Sequence, residues 1–193
     1  MRCGIPFDPK PVIFLITGYA RAGKDTLADG IIQANSGCSD HVRRVAFADS
    51  LKAALDGAVQ SFFPNLSYFD NAAKIEDRSL LVEFGRAMRR RDRNVFVHAL
   101  IDGITDVDAN YIVTDCRYLN ECRIVSARLS NAFRVVTVLV ETAGVGPANE
   151  EEGLSIGEMI REVGFDHVLR FQPNQAHAVE AEGRRLANLY GIR

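Results

Sequence analysis

Residues 18–26, Gly18-Tyr19-Ala20-Arg21-Ala22-Gly23-Lys24-Asp25-Thr26, have the residue types and spacing needed to hold a chain of phosphates. Gly18 and Gly23 permit backbone angles that a residue with a Cβ adopts only at a cost, so successive N–H groups can converge on phosphate oxygens. Lys24 adds a cation able to reach the β- and γ-phosphates, and the positive end of a following helix adds its partial charge. The spacing G-x-x-x-x-G-K is the P-loop pattern, and it stands in the required context, an apolar run before it and a helix-like segment after it. Where such loops commonly continue with Ser or Thr, this chain has Asp25, followed by Thr26. Asp25 is therefore a candidate Mg²⁺ ligand, directly or through a water, because Mg²⁺ prefers oxygen donors. Thr26 is a candidate contact to an α-phosphate. The plain alternative is a glycine-rich turn that only starts a helix.

A second constellation lies at residues 111–115, where an apolar run ends in Asp115. In an open parallel sheet, ligands bind beyond the carboxyl ends of the strands, which puts Asp115 near the phosphate loop and makes it a candidate for organising Mg²⁺ or the attacking group. An Asp that caps the next helix is the competing reading. Arg117 and Glu121 follow closely. Residues 86–93 hold five arginines in eight positions, Arg86, Arg89, Arg90, Arg91 and Arg93, in a chain whose formal net charge is −2. Guanidinium forks suit phosphate because two donors can bind two oxygens together; a solvated helix face is the bland reading of the same run. Asp49 and Lys52 sit where a second strand gives way to a helix. They either line an acceptor pocket or serve as a cap and a solvent-facing lysine.

These groups must be positioned by regular elements. Runs rich in β-branched residues recur at 12–17, 42–48, 111–115, 134–140 and 167–171. The segments between them are mostly long enough for crossover helices. The pattern predicts an α/β fold with about five parallel strands covered on both faces. Leu27, Ile31 and Ile32 mark a first helix, with 35–39 as its terminating loop. Leu51, Leu55, Val59 and Phe62 mark a second, which Pro64 should stop. Residues 64–108 read as a helical insertion without a strand, the natural place for a substrate-binding flap. Residues 142–153, with Gly, Pro, Asn and three consecutive acids, read as a lid-like loop, and 174–189 as a closing helix.

At 193 residues the chain fits a single domain, 1–193. Its slightly acidic balance argues against stable nucleic-acid binding through bulk charge. Cys3, Cys38, Cys116 and Cys122 lack C-x-x-C spacing, and the four histidines lack metal-ligand spacing, so reduced thiols and no zinc site are expected. The first apolar run is too short to span a bilayer and lacks a signal-peptide cleavage pattern, which makes the cytoplasm the expected location. Dimerisation is left open.

Together these segments resemble the bacteriophage deoxynucleoside monophosphate kinases, a branch of the P-loop kinases, over roughly residues 12–189. The resemblance rests on the G-K-D-T ending of the loop, Phe47-Ala48-Asp49-Ser50-Leu51-Lys52, Arg78-x-Leu80-Leu81-x-x-Phe84-Gly85, Arg90, and Val113-Thr114-Asp115-Cys116-Arg117-Tyr118-Leu119-Asn120-Glu121. It implies a three-layer P-loop kinase fold with a helical substrate-binding insertion. It also implies transfer of the γ-phosphoryl group of ATP, with Mg²⁺, to the 5′-phosphate of a deoxynucleoside monophosphate, in the host cytoplasm if the protein is phage-encoded. By position, Lys24 and the loop amides would hold ATP, and Asp115 would organise Mg²⁺ or the acceptor. Arg78, Arg90 and Arg117 would bind phosphates, with Glu121 on the acceptor side. The chain departs from the family at Arg86-Ala87, where Thr-Glu is frequent, and at Phe96, where Trp is common. Rival readings are a kinase for another small phosphorylated metabolite and a non-catalytic nucleotide-binding module. The absence of an Asn-Lys-x-Asp segment counts against a GTPase switch.

Overall fold

The computed structural model describes residues 10–34 and 41–192. The expected loop at 35–39, Cys3 and Cys38 lie outside the described residues. The described residues form two compact units, one built from those up to Val45 together with those from Asp106 onward, the other from Ala46–Thr105.

The first unit carries a sheet of five strands, β1 (Val12–Thr17), β2 (Val42–Val45), β3 (Asn110–Val113), β4 (Arg134–Thr142) and β5 (His167–Phe171), in the order β2-β3-β1-β4-β5. Every pairing is parallel. Helices α1 (Lys24–Gln33), α6 (Leu119–Leu129), α7 (Glu150–Glu162) and α8 (Ala176–Leu189) flank it. The α/β class expected from the apolar runs is the fold observed. β1 is buried along its whole length, as a central parallel strand must be. Its residues alternate between faces: Val12, Phe14 and Ile16 join one core with Leu27 and Ile31 of α1 and Val179 and Leu186 of α8. Ile13 and Leu15, equally buried, point to the opposite face.

Three strand boundaries differ from the sequence pattern, each for a local reason. β2 stops at Val45 because the Asp49 carboxylate, in the first turn of the helix that starts at Phe47, reaches back to accept the Ala46 amide at 3.0 Å. β3 stops at Val113, where the paired residues of its neighbours, Leu15 and Val45, also end. β4 continues to Thr142 because Glu141 and Thr142 find partners in Arg170 and Phe171 of β5.

The second unit holds α2 (Phe47–Val59), α3 (Asn71–Glu76), α4 (Arg78–Arg91) and α5 (Val95–Gly103). Leu55, Tyr68 and Ala73 form its core, with Leu66, Leu81 and Phe84 packed against them. Asp56 accepts the Tyr68 amide at 2.7 Å, and the Tyr68 hydroxyl donates to Asp77 at 3.0 Å, so the polar atoms of the buried turn are satisfied. α2 ends before Phe62. Pro64 disfavours helical angles at the residue before it, so Phe62 and Phe63 fall in an exposed turn rather than on the apolar stripe.

Among the described residues, no helix is long and apolar enough to cross a membrane. Cys116 and Cys122 are buried free thiols. Hydrogen bonding to Cys122, together with burial, pushes the Cys116 thiol well above its ordinary range.

Candidate active site

The phosphate loop joins β1 to α1. Gly18 has φ +150°, and a Cβ built there would lie 2.4 Å from the Val140 carbonyl oxygen, so this position excludes a side chain on two grounds. Gly23 caps α1 with φ +93° and no side-chain cap, which leaves the first amides of the helix to whatever anion approaches. Arg21 also takes a positive φ, 67°. The turn is held by the Ala22 amide donating to Tyr19 O at 3.1 Å and by the Thr142 hydroxyl donating to Ala22 O at 3.1 Å.

Lys24 folds back over this loop. Its ammonium donates to Gly18 O at 2.8 Å and Tyr19 O at 2.7 Å. An ammonium carries three donors, so the two carbonyls do not exhaust it. Lys24 is 8% exposed. Burial, with the Arg117 charge adding to it, lowers its pKa from 10.5 to about 8, against opposing contributions from Asp25, Glu152 and Asp115. Those interactions place Lys24, Asp25, Asp115, Arg117 and Glu152 in one electrostatic neighbourhood at the carboxyl ends of the strands. Four of these five were expected from the motifs; Glu152 was not.

Asp25 is ion-paired with Arg44, whose guanidinium also reaches Thr114 Oγ1 at 3.2 Å and Asp29 at 3.5 Å. A cation at Asp25 would compete with this arginine. Asp115 lies two residues beyond β3 and is half-buried. Arg117 has its Nη1 3.7 Å from Glu152 Oε1. Glu121 is buried and turned toward its own helix, its Oε2 accepting the Arg117 amide at 2.8 Å and the Tyr118 amide at 3.1 Å. In this conformation Glu121 caps α6.

Within the second unit, Asp49 caps α2 and pairs with Lys52 at 2.8 Å, and the Lys52 ammonium lies 5.2 Å from the centroid of the Phe69 ring. Arg78 opens α4 and Arg90 lies in its last turn, both exposed. Of the other arginines in the cluster, Arg86 pairs with Glu83 at 2.8 Å and Arg89 stacks 4.8 Å over the Phe96 ring.

The residues at 142–153 are not one loop. Asn149 caps α7 by accepting the Glu152 amide at 2.9 Å, so Glu150, Glu151 and Glu152 form the first helical turn, where negative charge is favoured. The loop that remains ends at Asn149. A cleft of about 320 Å³ opens beside the phosphate loop, lined among others by Tyr19, Ala22, Thr142, Val145, Phe171 and Gln172. The phosphate-loop motif supplies Tyr19 and Ala22, while the walls from the ends of β4 and β5 were not expected from the motifs.

No protein-family profile matches the chain, and no curated protein matches it. Among solved structures, two of the APS kinase of Mycobacterium tuberculosis are similar, one a cysteine-to-alanine mutant and one in complex with AMPPNP and APS. Their sequence identity to this chain is 16% in each case, their TM-scores are 0.48 and 0.47, and the likeness covers 95% of this chain and 99% of theirs.

Proposed function

We propose that the protein transfers the γ-phosphoryl group of ATP to the 5′-phosphate of a deoxynucleoside monophosphate. The observation that carries the reading is the loop itself: positive-φ glycines at positions 18 and 23, an uncapped α1 N-terminus and a buried Lys24 at its mouth. Backbone amides and the helix dipole would hold the β- and γ-phosphates, and Lys24 would exchange its carbonyl partners for phosphate oxygens, which bear the greater negative charge. The adjacent cleft has the size of a nucleoside site, with Phe171 and Val145 offering apolar contact to a base. The choice of acceptor is supported by the D-x-R-x-x-N-E segment at 115–121 and by the Phe47–Lys52 and Arg78–Gly85 segments of the family resemblance.

Phosphoryl transfer asks little covalent work of the protein. It asks for in-line placement of two anions and neutralisation of the charge on the transferred group. Arg117 stands in the neighbourhood of Lys24 and would share that charge. Asp115 and Asp25 are hard oxygen donors of the kind Mg²⁺ takes, Asp25 only after giving up Arg44. When bound, Mg²⁺ would supply positive charge against the phosphates. The acceptor phosphate is already ionised, so no strong general base is needed. A cytoplasmic location follows from the substrates, which are cytoplasmic metabolites.

Coupled detection of ADP release with a panel of deoxynucleoside monophosphates, ribonucleoside monophosphates and other phosphorylated metabolites tests the reading. Turnover with at least one deoxynucleoside monophosphate, exceeding that with every non-nucleotide acceptor, is expected; silence toward all deoxynucleotides refutes it.

Lys24 also predicts a pH dependence. Only the ammonium form attracts phosphate, so Mg–ATP affinity of the free protein should fall as pH rises through about 8, where Lys24 loses its proton. Because this pKa lies below the ordinary value of 10.5, the unfolded chain holds the proton more tightly between about 8 and 10.5, and Lys24 makes folding stability rise over that window. Calorimetric titrations across pH 7 to roughly 9.5 should show the affinity loss in the wild type but not in Lys24→Arg, whose guanidinium stays charged throughout. A flat wild-type profile would contradict the assignment.

A further inference from the structure

Glu152 has no counterpart among the motif residues. It stands 132 positions from Ala20 along the chain, and its side chain is 3% exposed. Burying a carboxylate is costly unless its charge is paired and its oxygens are hydrogen-bonded. Here donors from three segments meet it. Oε1 accepts the Ala20 amide at 3.1 Å and lies 3.7 Å from Arg117 Nη1, while Oε2 accepts the Ala148 amide at 2.7 Å. The first of these donors belongs to the phosphate loop, and the second is a guanidinium, whose further donors suit phosphate. A single carboxylate oxygen therefore ties the phosphate loop to the guanidinium. The carboxylate is itself fixed, because its backbone amide is bound to the Asn149 cap at 2.9 Å. The preceding residue, Glu151, accepts the Tyr118 hydroxyl at 2.6 Å and ties the residue after Arg117 to the same helical turn.

We infer that Glu152 is a positioning residue for phosphoryl transfer: its buried carboxylate anchors the phosphate loop through the Ala20 amide and holds the Arg117 guanidinium beside that loop, so that the remaining guanidinium donors meet phosphate oxygens. The inference rests on the phosphate-transfer reading above. Glu152 acts through these two groups and not by contact, since a carboxylate repels phosphate.

The test is a double-mutant cycle in the full chain with Glu152→Gln and Arg117→Lys. Gln keeps the length and one acceptor oxygen but removes the charge that faces Arg117. Glu152→Gln is expected to lower kcat about tenfold while Mg–ATP affinity changes less than about threefold, a split that general loss of structure would not produce. Arg117→Lys is expected to cost about tenfold in the wild-type background and less than about twofold in the Glu152→Gln background, because the second change removes an arrangement already lost. Independently of turnover, the ¹⁵N amide resonance of Ala20 should move in Arg117→Lys, since both donors share one oxygen. Equal losses in both backgrounds, or an unmoved Ala20 resonance, overturn the inference. Should Glu152→Gln fail to fold, the Arg117→Lys resonance decides alone. An Ala20 shift on Arg117→Lys, in a protein whose wild type phosphorylates no nucleoside monophosphate, supports the coupling and refutes the acceptor.

Discussion

Lys24→Ala is expected to reduce phosphoryl transfer roughly a thousandfold while the chain stays folded, the scale seen when a preorganised charge facing the transition state is removed. The two halves of this expectation have separate causes. The rate falls because alanine leaves the γ-phosphate with loop amides and a helix dipole but no mobile cation at the mouth of the cradle. The fold survives because Lys24 contributes no net stabilisation by being charged: burial pulls its pKa down to about 8, so the native state holds the ammonium at a cost relative to the unfolded chain. The Gly18 and Tyr19 carbonyls that lose its protons belong to the loop at the entrance, where water can replace it. Single-turnover rates with Mg–ATP, alongside thermal melts followed by circular dichroism, check both halves. Turnover within about tenfold of wild type would remove Lys24 from the mechanism, an effect too small for a cation on the transferred group.

Gly183→Ala is expected to destabilise the protein by about 3 kcal/mol, at the upper end of overpacking costs, because the atoms it strikes are backbone and have no rotamer to change. α1 and α8 approach so closely that a Cβ on Gly183 would lie 2.3 Å from Leu27 O and 3.0 Å from the Gly30 Cα. The contact is reciprocal: a Cβ on Gly30 would lie 2.2 Å from Glu180 O. Neither glycine has the positive φ of a turn; each is required for space alone. Separating the helices would also move α1, whose first turn carries Lys24, so lost stability should come with weakened nucleotide binding. Gly57→Ala is the control, since a Cβ there meets nothing within 4 Å and alanine favours the helix. Urea midpoints measure both variants. If Gly183→Ala stays within about 0.5 kcal/mol of wild type, the size of an ordinary surface change, the close packing of α1 on α8 is refuted.

What could be read along the chain was whatever neighbouring residues settle among themselves. The glycine and lysine spacing at 18–26 marks the loop, because the backbone angles and charge it needs are supplied within nine consecutive residues. β1 and β5 have the expected bounds because their apolar or β-branched runs stop abruptly. Local reading went astray where two local signals compete. The acids at 150–152 followed Gly, Pro and Asn and read as loop, yet the Asn149 side chain turns them into the first turn of α7. Asp49 takes the helix-cap alternative that its position offered and also pairs with Lys52.

Folding in three dimensions supplied the rest, because strand order has no signature in composition. Placing β1 between β3 and β4, with β5 outside β4, brings Arg44 to Asp25 and Thr114, carries Glu152 to Ala20 and Arg117, and sets Phe171 beside Tyr19. These contacts join residues far apart in the chain, and loop closure over such distances is repaid only by the packing of the whole sheet. The phosphate-binding chemistry was thus written in a short motif, whereas the partners that aim and neutralise it were chosen by which strands lie side by side.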